Sequence, residues 1–149
     1  MDENAFRSTF NALNPNDCLF EKAVVICGHN CRNLKRIDIG ERLTMGCVSP
    51  EAHEACRELL ALLRGKAVFA LHVTDIAVLP HAKELKVQCG GLRGLQQALE
   101  PEAEAEGKIA DISALVAEAQ ELFAGLENLP FGEIMRSISH FEGRKRGKS

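Results

Sequence analysis

The clearest periodicity in the chain lies between residues 50 and 70. Ala52, Ala55, Cys56, Leu59, Leu60, Leu63, Ala67 and Ala70 recur at three- and four-residue spacing and trace one apolar helix face for about five turns. Ser49 and Pro50 supply a cap and a first-position proline. Gly65 weakens that helix by about 1 kcal/mol relative to alanine without breaking the pattern. A second strong stripe runs through Ile109, Ile112, Leu115, Val116, Ala119, Leu122 and Phe123, and Leu129-Pro130 ends it. Ile134, Met135, Ile138 and Phe141 predict a short last helix. Upstream, Phe20, Ala23, Val24 and Cys27 fall at i, i+3, i+4 and i+7. Asn14-Pro15-Asn16-Asp17 reads as the start of that helix, with Asn14 as cap, and Gly28 as its stop. Past a connection at Asp75–Leu79, Pro80 opens another helix through Leu85 to about Cys89. Gly90-Gly91 interrupts it, and Leu92, Leu95 and Leu99 resume the helical spacing.

Residues 31–47 fit two patterns. Leu34, Ile37, Ile39, Leu43 and Met45 suit a broken helix, and they also suit a short hairpin over 36–45 turning at Gly40-Glu41. Helical neighbours on both sides favour the helix. The reading is therefore an all-α domain of five or six helices over residues 1–141, with the hairpin as the alternative. It divides into a polar lead with Phe6, Phe10 and Leu13, a cysteine-bearing part at 14–99, an acidic linker at 100–107 and C-terminal helices at 108–141. The basic stretch 142–149 reads as a disordered tail.

Composition narrows the function more than the fold. The 149 residues carry a net charge of −3, so no global basic field calls for nucleic acid. Seven Phe with no Tyr or Trp leave few platforms for stacked bases. MDENAFRSTF lacks the charged and apolar regions of a signal peptide, and no apolar run approaches a membrane span. These features imply a cytoplasmic protein whose thiols stay reduced unless ligated.

Cysteine changes that bland picture. Five of the six cysteines, Cys18, Cys27, Cys31, Cys47 and Cys56, lie between residues 18 and 56 in the pattern C-x8-C-x3-C-x15-C-x8-C. Any one of them could be a small core residue, and Cys27 and Cys56 sit on apolar stripes where a core would want them. Together they suggest a cofactor. An iron–sulfur cluster takes thiolates from several segments. Cys18 near a helix start, Cys27 and Cys31 around a turn and Cys47 before a cap form the favoured ligand set, with Cys56 as first substitute and a four-iron cluster preferred. Structural zinc needs two close chelating pairs, and Cys27, Cys31, His53 and Cys56 could improvise one. Cys89, before Gly90-Gly91, reads as a packed residue at a helix end or a remote ligand. Of the histidines, His29 reads as an exposed turn residue and His81 as surface. Asp38 and Glu41 suit ion pairs with Arg36 or Arg42. No G-x-S-x-G, P-loop, G-x-G-x-x-G or H-E-x-x-H is present, so nothing marks an enzyme.

The stretch from Cys18 to Leu71, followed by LPHAKELKVQCGGLRGLQ, resembles a group of small cysteine-rich proteobacterial proteins with no assigned activity. The resemblance implies a bacterial cytoplasmic setting, and that the cysteines and KVQCGG belong to one unit. It implies no reaction. The expected function is an iron–sulfur protein in electron transfer or redox sensing beside a larger protein partner. A zinc-stabilised or metal-free helical adaptor is the alternative, and a thiol redox protein using Cys27 and Cys31 is the third.

Overall fold

The computed structural model describes residues 14–71, 79–104 and 107–142, apart from the Phe69 side chain. The expectations for the polar lead, for most of the 75–79 connection and for the basic tail beyond Glu142 lie outside the described residues. The described elements are α1 (Glu21–Cys27), β1 (Leu34–Ile39), β2 (Arg42–Cys47), α2 (Pro50–Ala70), α3 (His81–Leu85), a π-helical turn (Lys86–Gly90), α4 (Gly91–Leu99), α5 (Ile112–Phe123), a 3-10 turn (Leu126–Asn128) and α6 (Phe131–His140).

The fold is therefore not all-α. Residues 34–47 form an antiparallel hairpin, pairing Leu34 with Cys47, Ile37 with Thr44 and Ile39 with Arg42. Local chemistry outweighs the helical neighbours here. Ile37, Ile39 and Thr44 are β-branched, and Gly40 takes the left-handed conformation (φ 63°) that a two-residue turn requires. Asp38 pairs with Arg36 across 3.5 Å, one of the ion pairs the sequence suggests.

The second correction concerns Asn14–Asp17. These residues do not open α1; they run along the outer edge of β2. Asp17 bridges Gly46, Cys18 N–H donates to Met45 O (2.9 Å) and Cys47 N–H donates to Asn16 O (2.8 Å). Asn14 is buried, and its amide donates to Thr44 Oγ1 and Met45 O, both at 3.1 Å. The groups that could cap a helix instead satisfy a strand edge, as buried polar groups must. Helix α1 starts only at Glu21 and has no side-chain cap. A Glu21 carboxylate oxygen accepts from Met45 N–H and from the Thr44 hydroxyl, each at 3.2 Å. The hairpin and α1 are thus tied by polar contacts.

Helix α2 begins as its sequence predicts, with Ala52 N–H donating to Ser49 Oγ at 3.1 Å. Its buried residues Leu59, Leu60 and Leu63 join Val87, Leu92, Leu95, Ile112, Val116, Ile134 and Ile138 in one core. Residues 81–99 form an unbroken helical run. The expected interruption at Gly90-Gly91 is a π-helical turn instead. The glycines are there for close packing: a Cβ on Gly90 would stand 2.8 Å from Ile138 Cα, a backbone atom that cannot swing aside. Gly90→Ala should therefore push the π-helical turn and α6 apart and cost about 1–3 kcal/mol in urea unfolding, whereas at an open helix position the same change stabilises.

A buried polar chain crosses this region. Glu84 accepts from Arg64 Nε (3.1 Å) and Nη2 (2.7 Å) and from Gln88 Nε2 (2.7 Å). Gln88 Oε1 then accepts the Ala23 N–H of α1 at 3.2 Å. Among the described residues no helix is long and apolar enough to cross a membrane.

Candidate four-thiol site

Four cysteines from four separate segments meet at one cavity. Cys18 follows the strand-edge segment, pinned by its N–H on Met45 O. Cys31 follows Asn30, whose backbone pairs on both sides with the α5 approach: Asn30 N–H donates to Ile109 O (2.8 Å) and Ile112 N–H to Asn30 O (2.9 Å). Arg32 fixes the same loop through its N–H and Nε, which donate to Asp111. Burial would raise the Asp111 carboxyl, but hydrogen bonds from Arg32 and Ser113 outweigh it and hold it at about 2. Cys47 ends β2, and its thiol donates to Ser49 O at 3.3 Å. Cys56 lies in the second turn of α2.

Cys18, Cys31, Cys47 and Cys56 are all free thiols, all half-buried, and all line this cavity with Phe20, Leu34, His53 and Ile112. Its walls are almost wholly apolar. The void between them is about 20 Å³, room for about one water. Burial pushes Cys18 up to about 12, and burial together with the neighbouring Cys18, Cys31 and Cys47 pushes Cys56 up to about 12. Both are neutral thiols at pH 7. An approaching cation would have to displace their protons, so its uptake strengthens with rising pH.

Cys27 is elsewhere. Its sulfur is bonded to Cys89, so neither supplies a free thiol and Cys27 forms no redox pair with Cys31. The expectation that every unligated thiol is reduced does not describe this pair. The sequence places Cys27 beside Cys31 in a turn. In the fold, Gly28 in the left-handed conformation (φ 76°) ends α1, leaving Cys27 on the face toward the π-helical turn. Cys89 is fully buried within that turn and is not at a helix end.

His53 is on the cavity wall but both its ring nitrogens are engaged. Nε2 donates to Asp17 O at 2.9 Å, since a carbonyl can only accept, and Nδ1 faces Arg57 Nη2 at 3.5 Å. His53 positions the segment before Cys18. His81 is exposed as expected, and its Nδ1 takes a hydrogen bond from Lys22 Nζ (2.8 Å).

His29 is not the exposed turn residue its neighbours suggest; it is 2% exposed. Its Nδ1 accepts the Ile109 N–H at 3.0 Å, so the proton sits on Nε2, which has no hydrogen-bond partner among the described residues. Burial, helped by Arg93 and Lys108, lowers its pKa from 6.5 to about 4. The folded state therefore resists a proton that the unfolded chain takes readily. Stability is full above pH 6.5 and falls as the pH drops toward 4, by up to about 3 kcal/mol. His29→Gln keeps an acceptor for Ile109 and should flatten the acid limb of a stability–pH curve. An unchanged limb would mean that His29 does not set it.

Among the described residues, no three His, Cys, Asp or Glu side chains stand close enough together to grip a single metal ion. The four thiols surround a common space without converging on one point. No protein-family model, curated protein or solved structure matches the chain.

Proposed function

We propose that Cys18, Cys31, Cys47 and Cys56 hold an iron–sulfur cluster of the four-iron type. In this reading the chain works in electron transfer or redox sensing in the cytoplasm, beside a larger protein partner. The single observation that carries it is the meeting of four free thiols from four segments around one apolar cavity. Zinc draws its sulfurs to about 2.3 Å from one ion and so demands tight convergence. A cluster spreads its thiolates around a larger body, one per iron, and suits donors arranged as these are. When bound it supplies one-electron chemistry. The chain's part is to shield it with Phe20, Leu34 and Ile112 and to present four sulfurs from a strand-edge segment, a loop, a hairpin and one helix. The exposed Val48, next to Cys47, gives a partner an apolar contact close to one proposed ligand.

Anaerobic reconstitution with iron and sulfide tests this. The expected product is brown, with about four irons and about four sulfides per chain. A colourless protein without either would overturn the reading. Stoichiometric zinc would favour the zinc-stabilised adaptor.

A further inference from the structure

The four-thiol void has room for about one water, so a cluster enters only if its walls part. Two of the four thiols, Cys18 and Cys31, flank α1, so moving α1 is the direct way to open it. Helix α1 has seven residues, too few to hold a helix unaided, and only Ala23 within it is fully buried. The hydrogen bonds that join it to the helical body are a buried one, Ala23 N–H on Gln88 Oε1 at 3.2 Å, and an exposed one, Lys22 Nζ on His81 Nδ1 at 2.8 Å. The covalent tie is Cys27–Cys89, which spans 62 residues of sequence and fastens the last residue of α1 to the π-helical turn. A bond closing a loop of that length constrains the chain far more than a hydrogen bond does.

We propose that Cys27–Cys89 is a second redox site, a latch that holds the four-thiol cavity closed when oxidised and frees it when a dithiol reduces it. Its role in loading rests on the cluster reading above; its control of the cavity does not. The two sulfurs differ in access, because Cys89 is fully buried and Cys27 is half-buried. A thiolate of the dithiol therefore attacks Cys27 Sγ. The Cys27–Cys89 bond breaks, Cys89 leaves as a thiolate and takes a proton, and a mixed disulfide forms on Cys27. The second thiol of the dithiol then attacks its own partner sulfur and releases Cys27. The dithiol loses two electrons and two protons and becomes a disulfide; Cys27 and Cys89 gain both and become thiols. Once cut, α1 is held by the packing of Leu19, Phe20, Ala23 and Val24 and by polar contacts, with no cross-link, and Cys18 and Cys31 can draw apart.

The test uses the full chain without iron, as the disulfide form and after treatment with dithiothreitol. Alkylation of Cys18, Cys31, Cys47 and Cys56 by N-ethylmaleimide is followed by peptide mass spectrometry, with amide exchange in α4, α5 and α6 as reference. Reduction should speed alkylation of Cys18 and Cys31 by about tenfold or more and leave the reference helices protected. The double variant Cys27→Ser/Cys89→Ser should behave as the reduced form without reductant. Unchanged alkylation rates would overturn the latch. So would loss of protection throughout the core on reduction, which would make the bond a general staple. If alkylation accelerates but iron and sulfide give no chromophore, the latch stands and the cluster reading falls. If the chromophore forms equally fast with the disulfide intact, the cluster stands and the latch falls.

Discussion

Serine in place of Cys18, Cys31, Cys47 or Cys56, one at a time, is expected to abolish the reconstituted chromophore or to shift its spectrum. Serine at both Cys27 and Cys89 is expected to leave it. The contrast follows from where the sulfurs lie: four are free thiols around one cavity, and two are bonded to each other. A lost ligand should lower cluster occupancy by at least the roughly 10–100-fold that loss of a supporting residue costs a metal site. Cys56→Ser is the sharpest case. As a core residue, Cys56 would tolerate serine with a modest loss of stability and an unchanged spectrum. As a ligand, it would not. If Cys27→Ser removed the chromophore and Cys56→Ser did not, the ligand set would be the one that chain spacing favours. Iron and sulfide analysis beside visible absorption decides it.

Why Cys27 reads as a ligand, and Cys56 only as a substitute, is instructive. Sequence displays separation along the chain, and Cys27 and Cys31 are the closest pair. It does not display that a left-handed Gly28 ends α1 with Cys27 toward the π-helical turn, or that Cys89 is brought there from 62 residues away. Cys56 sits on an apolar helix stripe, and periodicity cannot separate a stripe facing side chains from one edging a cavity. The long helices were legible because each buries one face: α2 with its Ser49 cap, α5 and α6 fall where the apolar spacing puts them. The hairpin was written in β-branched residues around Gly40, but short apolar runs satisfy both periods. Asn14-Pro15-Asn16-Asp17 misleads because the groups that cap a helix also satisfy a strand edge. His29 misleads for a related reason: flanking turn residues predict exposure, yet the Ile109 N–H needs a buried acceptor.

Removing the guanidinium of Arg64 should destabilise the fold by about 3 kcal/mol, the largest effect expected from a single change away from the cysteines. Its partner Glu84 has a side chain only 7% exposed, whereas that of Arg64 is 38% exposed. The two halves of the pair are therefore unequal. Arg64→Met strands a buried carboxylate with Gln88 as its remaining donor. Glu84→Met leaves an arginine that water can still reach, and should cost less, about 1–2 kcal/mol. The double variant should recover part of the loss, because no unpaired charge remains. Urea unfolding of the three variants checks this ordering, and equal costs for the two single changes would contradict it. Glu84 has a further role that a stability measurement alone would miss. By accepting from Gln88 Nε2, it fixes the Gln88 amide with its oxygen toward α1, where Ala23 N–H donates to it. Without Glu84 the amide can turn, and α1 loses its buried hydrogen bond to the helical body. Amide exchange at Ala23 should then rise more than exchange in α5 in the Glu84→Met variant. Its alkylation at Cys18 should rise further than in the unaltered chain once the Cys27–Cys89 bond is reduced, since the polar chain from Arg64 and the disulfide hold the same short helix against the same π-helical turn.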